Sequence, residues 1–167
     1  RHLSAGMGAV RGGWPLPVEP LLVMGALQPG LHLSPNGAYG VHTDELYDIA
    51  SGRHPALGYV DFPPVTPLLA RLDTAIFGIS PWTLRLFPAL TGAAVVFLAG
   101  ICALELGAGR RLAAVASLVA LLNPYLLATW LFQTVEFDEV TWMVATYLLL
   151  RLLRTGAGRR FILPAPA

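Results

Sequence analysis

Asp44 and Glu45 stand side by side in His42-Thr43-Asp44-Glu45-Leu46-Tyr47, directly after an apolar run. Adjacent carboxylates at the start of a helix can do two different things. In water they complement the positive end of the helix dipole and nothing more. Held partly out of water at a lipid boundary, one of them can have its pKa raised toward the working pH and act as a general base. A second acidic group, Glu136-x-Asp138-Glu139, follows a later apolar run. Paired carboxylates beside a membrane can orient an acceptor hydroxyl, take its proton, or hold a divalent cation against a phosphate. Asp61 supplies a third carboxylate just before Pro63-Pro64, where helix capping is its plainest role. Arg53 and Arg85 are the arginines best placed to meet an anion on this side. Snorkelling explains Arg85 at the start of an apolar run, and a lipid phosphate is the sharper alternative. His42 and His54 lie near the acids, but single histidines do not define a metal site, so the metal question stays open.

The elements that must carry these residues follow from composition. The chain has 167 residues, of which 55% are hydrophobic and 13% charged. A soluble domain has roughly a quarter of its residues charged, so the apolar excess points to lipid. The formal net charge is +1, which gives no reason to expect a nucleic-acid partner. Cys102 is the lone cysteine and lies in an apolar run, so no intrachain disulfide can form. No convincing cleavable signal opens the chain. Apolar stretches over about 16–34, 82–104, 112–132 and 137–154 approach the ~20 residues needed to cross a bilayer. Gln28, Pro29 and His32 interrupt the first, and Arg151 near the end of the fourth must snorkel.

Charge placement supports a four-span reading. With both ends inside, Arg1, Arg11, Arg110, Arg111, Arg151, Arg154, Arg159 and Arg160 are cytoplasmic, and the outer side holds loop 35–81 and the acidic turn at Glu136 to Glu139. Dropping only the first span would put Arg110 and Arg111 outside. The chain therefore reads as an all-α membrane protein with about four transmembrane helices. Trp14, Trp82, Trp130 and Trp142 fall near span ends, as interfacial belt residues do.

Two short amphipathic helices are expected in the outer loop. Thr43 can cap the first, which runs to Ser51 with Gly52 as a stop and Leu46, Ile49 and Ala50 on one face. The second starts at Pro63-Pro64 and ends before Gly78, with Val65, Leu68, Leu69, Leu72 and Ile76 opposite Arg71, Asp73 and Thr74. Their apolar sides should lie on the membrane surface or against the spans. Ser80-Pro81 should cap the second span.

The stretches Tyr39-Gly40-Val41-His42-Thr43-Asp44-Glu45-Leu46-Tyr47, Gly58-Tyr59-Val60-Asp61-Phe62-Pro63-Pro64, Leu84-Arg85-Leu86-Phe87-Pro88-Ala89-Leu90 and Val135-Glu136-Phe137-Asp138-Glu139-Val140-Thr141-Trp142 resemble, in order and spacing over roughly Leu21 to Gly156, bacterial glycosyltransferase family 39. That family belongs to the polyprenyl-phosphate-dependent membrane transferases of the GT-C superfamily. The resemblance implies a multi-pass plasma-membrane enzyme with its site on the outer face. Its partners would be the bilayer, a polyprenyl-phosphate-linked sugar donor and a hydroxyl-bearing acceptor on protein, lipid or glycan, with a divalent cation as the one cofactor to consider. It implies catalytic parts for Asp44, Glu45 and Asp138 and substrate contacts for Asp61 and Arg85; Arg53 and Glu136 join the expected substrate contacts through their place on the outer side. Some relatives carry Lys before the proline pair, apt for the donor phosphate; this chain departs from that pattern with Phe62, so the resemblance does not carry that contact over.

Relatives are several times longer, and this sequence begins without Met and ends on Phe161-Ile162-Leu163-Pro164, an apolar opening. Residues 1–167 are thus expected to be the N-terminal part of such an enzyme, inactive alone. The competing reading is a non-catalytic membrane scaffold or a degenerate remnant. A cation transporter ranks last, because the second and third apolar stretches carry no ionisable residue in mid-membrane.

Overall fold

The computed structural model describes residues 18–38, 40–125 and 131–155. Among these the elements are helices: α1 (Glu19–Leu33), α2 (Thr43–Arg53), α3 (Val65–Phe77), α4 (Pro81–Leu84), α5 (Leu86–Glu105), α6 (Arg110–Leu121) and α7 (Thr134–Thr155), with a 3-10 turn at Asn36–Ala38. The all-helical expectation is met. Trp14 and Trp130 lie outside the described residues.

Helix α5 is the axis of the molecule, with α1, α6 and α7 packed around it. Small residues let these helices close up. A side chain at Gly92 would collide with Gln28 of α1, and one at Gly100 would collide with Leu21 of α1 and Ser117 of α6. Gly25 faces the Ala93 carbonyl in the same seam. Close approach through small residues is how helices associate where lipid removes the hydrophobic drive. Leu21, Ile101 and Ala113 form the buried cluster at this crossing.

Pro81–Glu105 runs for 25 residues and is the one helix among the described residues long and apolar enough to cross a membrane. Its small break at Arg85 has a local cause. Pro88 has no N–H to give the Leu84 carbonyl, which interrupts the i to i−4 ladder. The other expected spans fall short for separate reasons. Helix α1 has 15 residues, about 22 Å against a ~30 Å core. Helix α6 has 12 residues and ends at Leu121, where Asn123 accepts the Tyr125 N–H at 3.0 Å ahead of Pro124. Residues 126–130 of the expected 112–132 stretch lie outside the described residues. Helix α7 has 22 residues, but Glu136, Asp138, Glu139, Arg151 and Arg154 lower its apolar character.

Helices α2 and α3 pack on each other beside this bundle. Gly52 makes the crossing possible, since a Cβ there would sit 2.5 Å from the Pro67 carbonyl oxygen. The second expected amphipathic helix lies where the sequence places it and stops at Gly78, whose φ of 74° suits glycine. It is turned the other way from a core helix. Thr66, Pro67, Ala70 and Asp73 are buried, while Val65, Leu68, Leu72 and Ile76 are exposed. Thr83 donates to the Asp73 carboxylate at 2.9 Å and so ties α3 to α4; burial raises the Asp73 pKa, and that hydrogen bond offsets part of the rise. On α2 the expected shared face is not shared: Ile49 is buried but Leu46 and Ala50 are exposed, and the helix continues through Gly52 to Arg53.

Candidate active site

The acids at the start of α2 are placed by a cap that differs from the expected one. His42, not Thr43, is the N-cap: its Nδ1 accepts the Asp44 N–H at 3.3 Å, and the Glu45 carboxylate accepts the His42 N–H at 2.8 Å. A reciprocal pair of this kind satisfies two of the free donors at a helix start. The same Nδ1 lies 3.6 Å from the Asp44 carboxylate.

Glu45 then turns inward. Its side chain is completely buried and takes a two-pronged ion pair from Arg85, Nε to Oε1 at 2.7 Å and Nη2 to Oε2 at 2.8 Å. The Phe132 N–H donates to Oε1 at 3.1 Å. Arg85 is buried as well, and its remaining donors reach Asn36 Oδ1 at 2.6 Å and the Gly40 carbonyl at 2.7 Å. A buried ion pair needs further hydrogen bonds to offset the loss of water, and four of the five Arg85 N–H groups make them here. The sequence offered Glu45 for catalysis and Arg85 for an anion; the structure bonds them to each other and to the loops around α2. Phe87, Phe132 and Phe137 stack edge to face beside this pair and, with Ile49, Ala70 and Leu84, keep water away from it.

Asp44 remains facing out, with 57% of its side chain exposed. Gln133 donates to its Oδ2 at 2.7 Å. The segment before α7 therefore docks on the N-terminus of α2 through residues 132 and 133, and the Thr66 and Thr134 hydroxyls add a contact at 3.0 Å. The contacts are made by Phe132, Gln133 and Thr134, just ahead of the second acidic group. Asp138 is exposed on the second turn of α7, and Glu136, two residues before it, is buried. The segment's anchors, Phe132 and Gln133, went unnoticed in sequence because they trail a stretch that reads as membrane span.

Asp61 faces α2 from the other side and accepts the Tyr47 hydroxyl at 3.4 Å. Partial desolvation, then the Asp61 charge and this hydrogen bond, then Asp48, raise the Tyr47 phenol above its usual range. Phe62 is stacked on Tyr59 and meets Tyr47 edge-on. It braces the loop against α2 where a lysine would present a charge. Arg53 is at the opposite end of α2, exposed.

Asp48 is an acid that sequence reading passed over, although its i+4 spacing from Asp44 was visible. It is buried, its Oδ1 has no hydrogen-bond partner, and burial together with the Asp44 charge lifts its pKa to about 6. Among the described residues no cluster of three or more His, Cys, Asp or Glu is arranged to hold a metal ion.

At the other end of the bundle Arg154 pairs with Glu105 at 2.9 Å, beside Arg110 and Arg111 at the start of α6. The acids of α2 and of the first turns of α7 thus occupy one end of α5, and the arginines of α6 and α7 the other.

No curated protein and no solved structure matches the chain. A family model described as dolichyl-phosphate-mannose-protein mannosyltransferase matches residues 61–166, well over half of it. Asp61, Arg85, Glu136 and Asp138 fall inside that match, while Asp44 and Glu45 precede it and are hydrogen-bonded to it through Arg85, Phe132 and Gln133. The chain belongs to the dolichyl-phosphate-mannose-protein mannosyltransferase family.

Proposed function

We propose that the chain forms the acid-bearing part of a membrane glycosyltransferase that moves a sugar from a polyprenyl-phosphate donor to an acceptor hydroxyl at the outer membrane surface, with Asp44 as the general base. In that reaction the acceptor oxygen bonds to the anomeric carbon, the bond from that carbon to the phosphate oxygen breaks, and the phosphate leaves with the electron pair. The hydroxyl proton passes to Asp44. The observation that carries the reading is the division of labour between two neighbouring acids. Glu45 is locked in a buried ion pair, whereas Asp44 presents a half-exposed carboxylate held at one oxygen by Gln133. Asp44 sits in the first turn of α2, next to the helix N-terminus.

Glu45 and Arg85 act in this proposal as positioning residues that fix where α2 begins. Asp61 orients the acceptor side through Tyr47, and Asp138 completes the acidic rim from α7, with Glu136 behind it. Among the described residues Asp44, Asp61 and Asp138 do not gather into a cluster that could hold a metal ion, and no step is routed through a divalent cation. The supporting membrane arrangement is the four-span one, with α1, α6 and α7 accompanying α5 and both ends inside.

The test is Asp44→Asn in the full-length protein in its native membrane, with transfer of labelled mannose from a polyprenyl-phosphate donor as the measurement. Loss of a positioned general base costs on the order of 10²–10⁴ in rate. Transfer close to wild type would remove Asp44 from the mechanism.

A further inference from the structure

On the flank of the α2–α3 pair lies an open groove of about 410 Å³, lined by Gly52, Arg53, Arg71, Thr74, Gly78 and Ile79 among others. Two of these are arginines, both exposed, and neither takes part in an ion pair or side-chain hydrogen bond among the described residues. The lining contains no carboxylate. Asp73, the acid of α3, points into the protein and accepts from Thr83. The carbonyl ends of both helices are nearby, but each amounts to only about half a negative charge. They are also partly occupied by the His54 N–H on Ser51 and the Gly78 N–H on Thr74. Two full positive charges dominate the groove.

Its surroundings say what kind of anion fits. At 100° per residue, Arg71, Ala75 and Gly78 form a strip along α3 that borders the exposed stripe of Val65, Leu68, Leu72 and Ile76, and Ile79 belongs to both the groove and the exposed apolar surface. A helix showing an apolar stripe to the outside lies in the membrane interface. Arginines on the edge of such a stripe stand at the depth of the lipid phosphates and bind them through paired N–H donors.

We infer that the Arg53–Arg71 groove binds the phosphate of an anionic membrane lipid and thereby seats the α2–α3 pair on the outer leaflet. The site is separate from Asp44, nine residues or roughly 13 Å away along α2. The inference rests on the membrane part of the proposed function and is independent of sugar transfer.

The full chain in dodecylmaltoside would be titrated with phosphatidylglycerol, phosphatidylcholine and inorganic phosphate, and bound lipid counted by native mass spectrometry. Phosphatidylglycerol should bind saturably to wild type and to R110Q/R111Q, and at least tenfold more weakly to R53Q/R71Q. Phosphatidylcholine and inorganic phosphate should bind far more weakly than phosphatidylglycerol. Ala75→Glu, an exposed substitution that puts a negative charge in the groove, should weaken the lipid in the same way and serves if R53Q/R71Q fails to fold. Asp44→Asn should bind lipid like wild type whatever it does to transfer. Unchanged phosphatidylglycerol binding in R53Q/R71Q or Ala75→Glu would overturn the site, and inorganic phosphate binding as tightly as the lipid would overturn the lipid assignment.

Discussion

Asp44 and Glu45 are neighbours with opposite surroundings, one half in water and one fully enclosed. Removing Glu45 leaves Arg85 as a buried charge whose strongest partner is gone. Glu45→Ala should therefore cost about 3–5 kcal/mol of stability, while Asp44→Asn should stay within about 0.5 kcal/mol of wild type. Thermal unfolding of the two variants in the same detergent checks the contrast, and equal losses would mean that the ion pair does not hold the fold. Asp48 makes a pH prediction. Its folded pKa, about 6, lies above the ~3.9 of an unfolded aspartate. Between those values the folded state binds the extra proton, so stability falls as pH rises from 4 to 6 and the cost is complete above that. Asp48→Asn should accordingly stabilise the protein at pH 7.5, by about 1–2 kcal/mol after allowing for solvent screening, with little gain at pH 4. A variant equally stabilised at both pH values would sink this account. The acidic pair was legible in sequence because two carboxylates after an apolar run are conspicuous. Which of them would be buried was not, since that depends on Arg85 and Phe132, 40 and 87 residues further along.

Helices α2 and α3 cross at Gly52, and the crossing sets how far α2 can lean toward the bundle. Gly52→Ala would press a methyl group onto the Pro67 carbonyl and the Arg71 backbone nitrogen, neither of which can step aside as a flexible side chain would. Overpacking of this kind costs about 1–3 kcal/mol. The expected result is a lowered unfolding midpoint, whereas Gly58→Ala, with open space around it, should change little. An unchanged midpoint for Gly52→Ala would show that the pair is loosely packed. The limits of α3 were readable because Pro63-Pro64 and Gly78 punctuate them and the apolar residues recur at helical spacing. The direction of its apolar stripe was not. Periodicity gives an apolar face but not what that face meets, and here Thr66, Ala70 and Asp73 face inward. The cap of α2 was misread for a similar reason: Thr43 has the stronger capping propensity, but Glu45, drawn in by Arg85, makes His42 the better reciprocal partner.

Across the described residues the acids of α2 and α7 and the arginines of α6 and α7 lie apart. Glu45, Asp44 and the acids of α7 lie at one end of α5, and Arg110, Arg111 and the Glu105–Arg154 pair at the other. Gly58 and Gly109 are exposed in loops at these two ends, with nothing nearby to be displaced. In a Cys102→Ala background, a membrane-impermeant maleimide should label Gly58→Cys in intact cells, and Gly109→Cys only after permeabilisation. Labelling of both from the same side would refute the four-span arrangement. Hydropathy located Pro81–Glu105 without difficulty. It overran α6, because Asn123-Pro124 ends that helix while the residues around it stay apolar.

The hydrogen bond from Phe132 to Glu45 joins residues 87 positions apart, and the ribosome delivers them in a fixed order. Helix α2 is made first, its partner Arg85 later, and Phe132 only after α5 and α6 are complete. Until then the nascent chain carries a glutamate too polar to enter the lipid boundary unaided. Of the partners of Glu45, Phe132 is therefore the last to be made, just ahead of α7. A chain stalled before that point holds Asp44 without Gln133, the residue that hydrogen-bonds its carboxylate.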